Sequence, residues 1–224
     1  MINDRPTPSA PPARSPAQHI AAGLARIGLA LKSQAWQQGW ADDLTPTQGQ
    51  ILADVATHPA RTLGAVAEAL GIRPSTASEA VAVLEAKGLL TKERDLGDGR
   101  RLALALTSTG RTAAERVARW PDFLTTVVEE LEPAEQGVLL RLLQRLIRAL
   151  QERGEIPVAS MCVTCRYFRP HVHDNPAAPH HCAYVNAPIG DRDLRLDCAE
   201  HRSASPEEAS RNWERFIGAS AGAL

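Results

Sequence analysis

The sequence predicts a mainly α-helical protein that contains one small β-hairpin and a short cysteine-rich segment. Three observations predict this fold class. Apolar residues recur at helical spacing through most of residues 17–153, two short runs near residue 98 flank a glycine-containing loop, and all four cysteines follow residue 160. The 224 residues are enough for one well-formed core and a small appended unit.

The N-terminal part is expected to begin with a disordered tail over residues 1–16, where five prolines lie among serine, alanine and arginine. A first helix is predicted over residues 18–39. Its apolar positions recur on one face: Ile20, Leu24, Ile27 and Leu31. A second helix is predicted over residues 46–57, because Thr45 and Gln48 have the spacing of a capping box around a proline that suits a first helical position.

Two further helices, joined by a tight turn, are predicted next in the chain. The shorter covers Leu63–Leu70 and ends at Gly71, and the longer opens at Pro74 and stops at Gly88. One face of the longer helix is apolar: Ala77, Ala80, Val81 and Leu84. The opposite face is small or polar: Ser75, Ser78, Glu79 and Ala82. This pattern indicates a helix-turn-helix whose second helix fits a DNA major groove, although a helical hairpin without a ligand explains the two helices equally well.

Two strands are predicted after these helices, over Leu90–Arg94 and residues 101–106. In the second strand, leucines alternate with small or polar residues, which is the period of a half-buried strand: Leu102, Leu104 and Leu106. The connecting loop, residues 95–100, contains glycine, and arginines lie at this tip of the hairpin, at residues 94, 100 and 101. A helix-turn-helix followed by such a hairpin is a winged helix-turn-helix.

This stretch resembles the MarR family of dimeric bacterial transcriptional regulators over residues 20–151. Four short segments carry the resemblance: Leu44-Thr-Pro-Thr-Gln48, Pro74-Ser-Thr-Ala-Ser78, Leu84-Glu-Ala-Lys-Gly-Leu-Leu90 and Asp98-Gly-Arg-Arg-Leu-Ala-Leu-Ala-Leu-Thr107. The last segment fits the family's wing pattern D-x-R-x-x-x-L-x-L-T at every fixed position, and Gly110 supplies the glycine that usually follows. The resemblance implies a homodimer that binds a double-stranded DNA operator, and repression is the commoner outcome in that family.

The resemblance also implies which residues hold DNA. On the second helix of the pair and at its start, the candidates are Arg73, Ser75, Thr76, Ser78 and Glu79. In the hairpin, Arg100 matches the family arginine that enters the minor groove, and Asp98 matches the acidic residue that orients it. Phosphate contacts are expected from three further basic residues: Lys92, Arg94 and Arg101. A solvated surface charge is the alternative for each lone basic side chain.

Two positions depart from the family pattern. Glu79 stands where many members have a basic residue. Arg73 stands where a capping serine or threonine is common, and since arginine caps a helix poorly, we expect it to contact a phosphate instead. The affinity for DNA is therefore expected to depend strongly on the hairpin.

The second half of the helical part is predicted to contain helices over residues 109–120, 122–131 and 133–153, with a break at Pro121. The last of these helices carries a long apolar stripe: Leu139, Leu142, Leu143, Leu146, Ile147 and Leu150. We expect this stripe to form a subunit interface, because the small core already has enough helices to cover it. A core helix within one chain is the alternative.

After a linker over residues 154–160, helical periodicity is lost and the cysteines appear: Cys162, Cys165, Cys182 and Cys198. The two spacings that follow the C-x-x-C pair are sixteen and fifteen residues. Four thiolates suit zinc or an iron–sulfur cluster. Zinc is slightly favoured for an appended module, although the second half lacks a paired knuckle. The wide spacing is reminiscent of high-potential iron–sulfur proteins, and plain redox thiols are a third alternative.

Other features of the module, residues 161–201, bear on its ligands and its limits. Three histidines lie close enough in sequence to act as substitute ligands: His180, His181 and His201. The C-x-x-C pair lacks the strand-then-helix context of a thioredoxin, which argues against an oxidoreductase. A further helix within residues 202–224 is predicted from a capping box at Ser205, with Trp213, Phe216 and Ile217 on one side.

Composition narrows the function classes. The formal net charge is −1, so DNA binding must come from a local basic patch. No apolar run resembles a secretory signal or a membrane span, so we expect a cytoplasmic protein without a membrane partner. No nucleophile–base set or phosphate-binding glycine loop indicates an enzyme. The predicted function is a dimeric DNA-binding regulator that responds to a small-molecule or redox effector; the alternatives are an electron carrier, or an interaction module shaped by structural zinc.

Overall fold

The computed structural model describes residues 14–94 and 102–218, and within them the chain forms eight α-helices and five short strands. The helical part contains α1 (Pro16–Ala41), α2 (Pro46–Thr57), α3 (Leu63–Leu70), α4 (Pro74–Ala86), β1 (Leu90–Arg94), β2 (Leu102–Leu106), α5 (Ser108–Val117), α6 (Asp122–Glu129) and α7 (Pro133–Glu152). The C-terminal part contains β3 (Phe168–Arg169), β4 (His180–Cys182), β5 (Ala187–Ile189) and α8 (Pro206–Gly218), with 3₁₀ turns at Cys162–Thr164 and Asp191–Asp193.

Local capping explains where the helices begin and end. At the start of α2, the Gln48 N–H donates to Thr45 Oγ1 at 3.2 Å and the Thr45 N–H donates to Gln48 Oε1 at 3.0 Å, as the capping box predicts. Ser15 forms the same reciprocal pair at α1, which therefore begins two residues earlier than expected. The predicted end of α4 is confirmed, because Gly88 has a φ of 67°, in the left-handed region that glycine enters without strain.

The core of the winged helix lies between α2, α4, α5 and the hairpin. Its largest fully buried side chains are Ile51, Leu52, Val66, Val81, Leu84, Leu90 and Leu104. In the hairpin, β1 pairs antiparallel with β2 and Leu90 lies opposite Leu106. Truncation of one such core side chain to alanine typically costs about 2–5 kcal/mol, so this cluster supplies much of the stability of the domain.

Burial along β2 departs from the alternation predicted for it. Leu102 is 54% exposed, whereas the neighbouring Ala103 is buried. Thr62 forms an isolated antiparallel bridge with Ala103, and the Leu104 N–H donates to the Arg61 carbonyl at 2.8 Å. The segment before α3 thus covers the part of β2 nearest the core, and Leu102 extends beyond it.

A close approach of two backbones fixes the hairpin against α5. Thr107 caps α5 by accepting the Gly110 N–H at 2.9 Å, and its own N–H donates to the Leu89 carbonyl at 3.1 Å. A Cβ atom on residue 110 would overlap that carbonyl oxygen. Glycine at this position therefore has a steric cause, which also gives a physical reason for its place in the sequence pattern.

The C-terminal part has its own core and a sheet that the sequence did not predict. Strands β3, β4 and β5 form a three-stranded antiparallel sheet in that order. The buried residues of this core are Met161, Val163, Cys165, Phe168, Leu194 and Phe216. Phe216 belongs to α8 and is fully buried, so α8 completes the core around the cysteine segment.

One face of helix α7 contacts the C-terminal part, and the other face is largely exposed. On one face Gln144 is fully buried and donates to the Arg195 carbonyl at 3.0 Å, and the Arg148 guanidinium lies 4.4 Å from the centre of the Trp213 ring. The C-terminal part thus docks on a largely polar face. The predicted apolar stripe remains substantially exposed at Leu142, Leu146 and Leu150, although Ile147 contacts the C-terminal core.

None of the helices in the described part of the chain combines the length and hydropathy needed to cross a membrane.

Candidate DNA-binding surface and cysteine site

Helix α4 separates its residues cleanly into a buried face and an exposed face. Ala77, Ala80, Val81 and Leu84 are buried in the core. The predicted contact residues Ser75, Thr76, Ser78 and Glu79 are all exposed, and their side chains bond no other described residue. A short polar face of this kind, on a helix held rigidly from behind, can meet base edges and phosphates.

The start of α4 is open as well. Arg73 occupies the N-cap position with extended backbone angles, and its side chain makes no capping hydrogen bond, as its chemistry predicts. Among the residues that the structure describes, the first-turn N–H groups therefore have no side-chain acceptor at the cap position. Phosphate oxygens are suitable acceptors for N–H groups at this end of a helix.

The structure places two of the hairpin's basic candidates. Lys92 Nζ lies 2.6 Å from Glu85 Oε2, so an acidic residue of α4 already engages its charge. Arg94 is exposed at the end of β1. Asp98, Arg100 and Arg101 lie outside the described residues. Of the two described basic residues in the hairpin, Arg94 is therefore the better placed to bind a phosphate, because Lys92 already pairs with Glu85.

In the C-terminal part, all four cysteines line one cavity of about 310 Å³. Cys162 and Cys165 stand at the two ends of a 3₁₀ turn, where the Cys165 N–H donates to the Cys162 carbonyl at 2.9 Å. Cys182 ends β4 opposite Phe168. Cys198 is held near the linker, because its N–H donates to the Ser160 carbonyl at 3.0 Å. Three separate chain segments thus bring the thiols together.

The sulfur of Cys162 has a described hydrogen-bond partner. It accepts the Arg195 N–H at 3.2 Å. Burial raises the pKa of the Cys162 thiol to about 11, although this hydrogen bond opposes the rise. A thiol with this pKa is protonated at neutral pH unless a cation binds it, so it is a poor nucleophile by itself. No three histidine, cysteine or acidic side chains in the described ranges are arranged to hold a single metal ion.

The three histidines considered as substitute ligands have other partners. His180 is fully buried, where its Nδ1 accepts the His171 N–H at 3.2 Å and its Nε2 lies 3.0 Å from Asp191 Oδ1. His181 pairs with His173 at 3.2 Å. His201 lies 3.0 Å from Thr164 Oγ1. None of the three lines the cysteine cavity as the structure describes it.

A series of close contacts between ionisable side chains connects the cysteine segment to the winged helix, and no sequence motif indicated it. Asp197, next to Cys198, lies 3.4 Å from His58 at the end of α2. The other nitrogen of His58 lies 3.5 Å from Asp54, and Arg61 bonds the same carboxylate at 2.5 Å. Burial raises the pKa of Asp54 despite the opposing charge of Arg61. Because the Arg61 carbonyl accepts a hydrogen bond from β2, this series ends in the hairpin.

Comparisons with known proteins agree with this geometry. Residues 42–101 match the model of the MarR family. A proposed transcriptional regulatory protein for the hcr operon of Thauera aromatica is 31% identical over 112 residues, which cover 48% of this chain and 65% of that protein. This chain thus spans slightly less than two thirds of that curated relative.

Two solved structures share the fold. A complex of S. aureus MepR with DNA matches with a TM-score of 0.51 and 25% identity, over 58% of this chain and 97% of MepR. A MarR family protein from Bacillus stearothermophilus matches with a TM-score of 0.53 and 22% identity, over 60% of this chain and 95% of that protein.

The fold and the exposed face of α4 define a winged helix-turn-helix protein. Residues 42–101 are similar to the MarR family, and MepR shares the fold over 58% of this chain. MarR-family proteins are transcription regulators and not enzymes, in agreement with the prediction from the sequence. The family model ends before the cysteine segment begins.

Proposed function

We propose that this protein is a dimeric, sequence-specific DNA-binding regulator that represses transcription and responds to the state of its cysteine site. The observation that carries DNA binding is the exposed polar face of α4, which is backed by a fully buried apolar face and followed by a hairpin. The likeness to MepR, solved in complex with DNA, supports this use of the fold. Occlusion of a promoter by the bound dimer would be the means of repression.

DNA is expected to be held in two ways. Ser75, Thr76, Ser78 and Glu79 would meet the major groove, and Arg73 with the uncapped first turn of α4 would meet the adjacent phosphates. The hairpin would reach the minor groove through Arg100, oriented by Asp98, with Arg94 and Arg101 on phosphates. The single acidic residue on the groove-facing surface, Glu79, makes affinity dependent on the hairpin.

Dimerisation is expected through the apolar surfaces that the single chain leaves exposed. Helix α1 exposes Ile20, Leu24 and Ile27, which follow one helical face. Helix α7 exposes Val138, Leu142, Leu146 and Leu150 at four-residue spacing on the side away from the C-terminal part. Apolar faces of this size on two long helices are typical of a subunit interface. A two-fold dimer would place two α4 helices about 34 Å apart, one turn of DNA.

Two contacts support a response to the cysteine site. Arg195 bonds Cys162 through its N–H and Gln144 of α7 through its carbonyl, so a change at the sulfur reaches the proposed dimer helix in two hydrogen bonds. Asp197 reaches the hairpin through His58 and Arg61. A change in the shape of the site would therefore bias the spacing of the two DNA-binding heads.

The test is selection of bound sequences from a random pool of double-stranded DNA, followed by an anisotropy titration of the enriched sequence. Replacement of Ser75 and Thr76 by alanine should weaken binding by about 1–3 kcal/mol per lost base contact, roughly 5- to 150-fold. Thr57→Ala, on the exposed end of α2, is the matched control and should bind normally. Failure of the wild-type protein to enrich any sequence would refute the proposal.

A further inference from the structure

His58 lies between two carboxylates that belong to different parts of the chain. It follows the last residue of α2, and its side chain is only 12% exposed. One ring nitrogen lies 3.5 Å from Asp54 of α2, and the other lies 3.4 Å from Asp197 of the C-terminal part. Arg61, from the turn before α3, also bonds the Asp54 carboxylate. Among the described residues that line the cavity at this junction, these four are the ones with ionisable side chains.

The cluster is one hydrogen-bond donor short. A neutral imidazole has one N–H donor and one acceptor nitrogen, so it can donate to only one of the two carboxylates while its lone pair faces the other. Both ring nitrogens of His58 and Oδ2 of Asp54 are shielded from water and have no hydrogen-bond partner in the part of the chain that the structure describes. Buried polar atoms without partners are unfavourable, so the cluster favours any change that supplies a donor.

One added proton supplies that donor. On His58 it gives an imidazolium with two N–H groups, one for each carboxylate. On Asp54 it gives a neutral acid that can donate to one ring nitrogen, which leaves the other nitrogen to donate to Asp197. Burial raises the pKa of Asp54, although the charges of Arg61 and His58 oppose the rise. The two groups therefore bind the proton as a pair, and either location strengthens the contact with Asp197.

This contact holds the linker and the cysteine segment together against the winged helix. Asp197 precedes Cys198, whose N–H donates to the Ser160 carbonyl at 3.0 Å, so the two segments are joined beside His58. A cavity of about 390 Å³ lies here between α2, α3 and the linker. Because a cavity leaves fewer van der Waals contacts than close packing does, the electrostatic contact contributes a larger share of the attraction at this junction.

We propose that His58 is a proton-dependent latch between the winged helix and the cysteine segment. When the pair of His58 and Asp54 binds one proton, it holds Asp197 and the C-terminal part is docked at this junction. When the proton is lost as pH rises, the contact weakens and the linker loosens. The sign is fixed by linkage, because groups that bind a proton more tightly in the docked state favour docking at low pH. This latch goes beyond the proposed function and is independent of DNA binding.

The experiment is amide hydrogen exchange of the full-length protein between about pH 5 and 8, the range in which histidine side chains usually change charge. Each rate is divided by the intrinsic rate of that amide at the same pH, which gives a protection factor. The reporters are the N–H groups of residues 155–160 and 198–201, including the N–H of Cys198. We expect their protection to fall as pH rises, by severalfold to about tenfold per pH unit, the upper value being the slope for one proton.

Two histidine variants show whether His58 is the source of this dependence. His58→Gln should abolish it, because glutamine keeps a donor and an acceptor but cannot be charged. His19→Gln is the matched control, because His19 is exposed on α1, and it should keep the wild-type slope. Asp197→Asn covers the case in which His58→Gln fails to fold, since the Asp197 side chain is 59% exposed and lies outside both buried cores. It should flatten the dependence as well.

Four results would overturn the proposal. They are wild-type protection that is constant across this range, protection that rises with pH, a wild-type slope in His58→Gln or Asp197→Asn, and an equal slope in the amides of α4. The last result would mark a change in the stability of the whole chain instead of local undocking. Because DNA is absent from every sample, failure of the latch would leave the proposed function untouched.

Discussion

Replacement of Leu142 and Leu146 by aspartate should split the dimer and abolish DNA binding together. Both leucines lie on the face of α7 that points away from the C-terminal part, and they are 44% and 45% exposed in the single chain. Neither contributes to the two buried cores. The substitutions should therefore leave each chain folded while they place charge in the proposed interface.

The size of the effect follows from the exposed area. Full burial of a leucine side chain contributes about 1.5–3 kcal/mol, so the exposed part of each of these two leucines would contribute about 1 kcal/mol on dimerisation. Four such side chains in a dimer give about 4 kcal/mol, which corresponds to an increase of roughly 1000-fold in the dimer dissociation constant when they are lost. Burial of unpaired carboxylates would increase the loss further.

Sedimentation velocity across a range of micromolar concentrations, with anisotropy on the selected DNA, measures both quantities. Val172→Asp is the matched control, because Val172 is 45% exposed in a loop of the C-terminal part, outside the proposed interface. It should dimerise and bind DNA normally. A wild-type protein that sediments as a monomer at these concentrations, or a double variant that remains dimeric, would refute the reasoning.

Three other predictions test separate parts of the structure. Glu79→Lys should tighten DNA binding and steepen the slope of log affinity against log salt concentration by about 0.9. The same change at Glu115, which is exposed on α5, should do neither. Equal effects of the two substitutions would contradict the placement of Glu79 in the groove. Gly110→Ala should lower the free energy of unfolding by at least about 2 kcal/mol, measured by thermal unfolding. Gly64→Ala, where nothing lies within 4 Å of the added Cβ, should be tolerated. Equal melting temperatures of the two variants would show that residue 110 does not approach the Leu89 carbonyl oxygen closely. His58→Ala should reduce the change in operator affinity that follows metal removal, a coupling of about 1–3 kcal/mol, and an unchanged difference between metal-bound and metal-free protein would exclude this route.

Features set by near neighbours in the chain could be predicted from the sequence. The capping box at Thr45 and Gln48 and the stop at Gly88 depend on atoms within one helical turn, and the structure confirms them. The buried stripe of α4 follows from helical spacing alone. The small differences at other helix ends, such as the early start of α1, arise where a cap lies just outside the apolar pattern.

Features that depend on distant contacts could not be predicted. Strands β3 to β5 have only two or three residues each, too few to show a period of two. Gln144 is a polar residue among the leucines of α7, yet it is fully buried, because the Arg195 carbonyl accepts its hydrogen bond from another part of the chain. The exposure of Leu102 depends on Thr62, forty residues earlier, which bridges to the next residue of β2.

The cysteine site could be predicted from the sequence only in part. The sequence identified the four residues and the turn at Cys162 and Cys165, because a C-x-x-C spacing constrains its own geometry. It favoured zinc slightly, since zinc is the more usual ion in a small appended module. The structure adds that the four cysteines line one cavity together with aromatic side chains, which is a long-range feature.

A hydroxyl-radical footprint of the wild-type protein on its selected DNA tests the central claim most directly. A dimer that uses α4 as its recognition helix predicts two protected patches related by two-fold symmetry, with centres about one helical turn or roughly 34 Å apart. The bound complex should contain two chains per site. A single patch, uniform protection along the duplex, or protection that persists unchanged in the Ser75→Ala/Thr76→Ala variant would contradict the account.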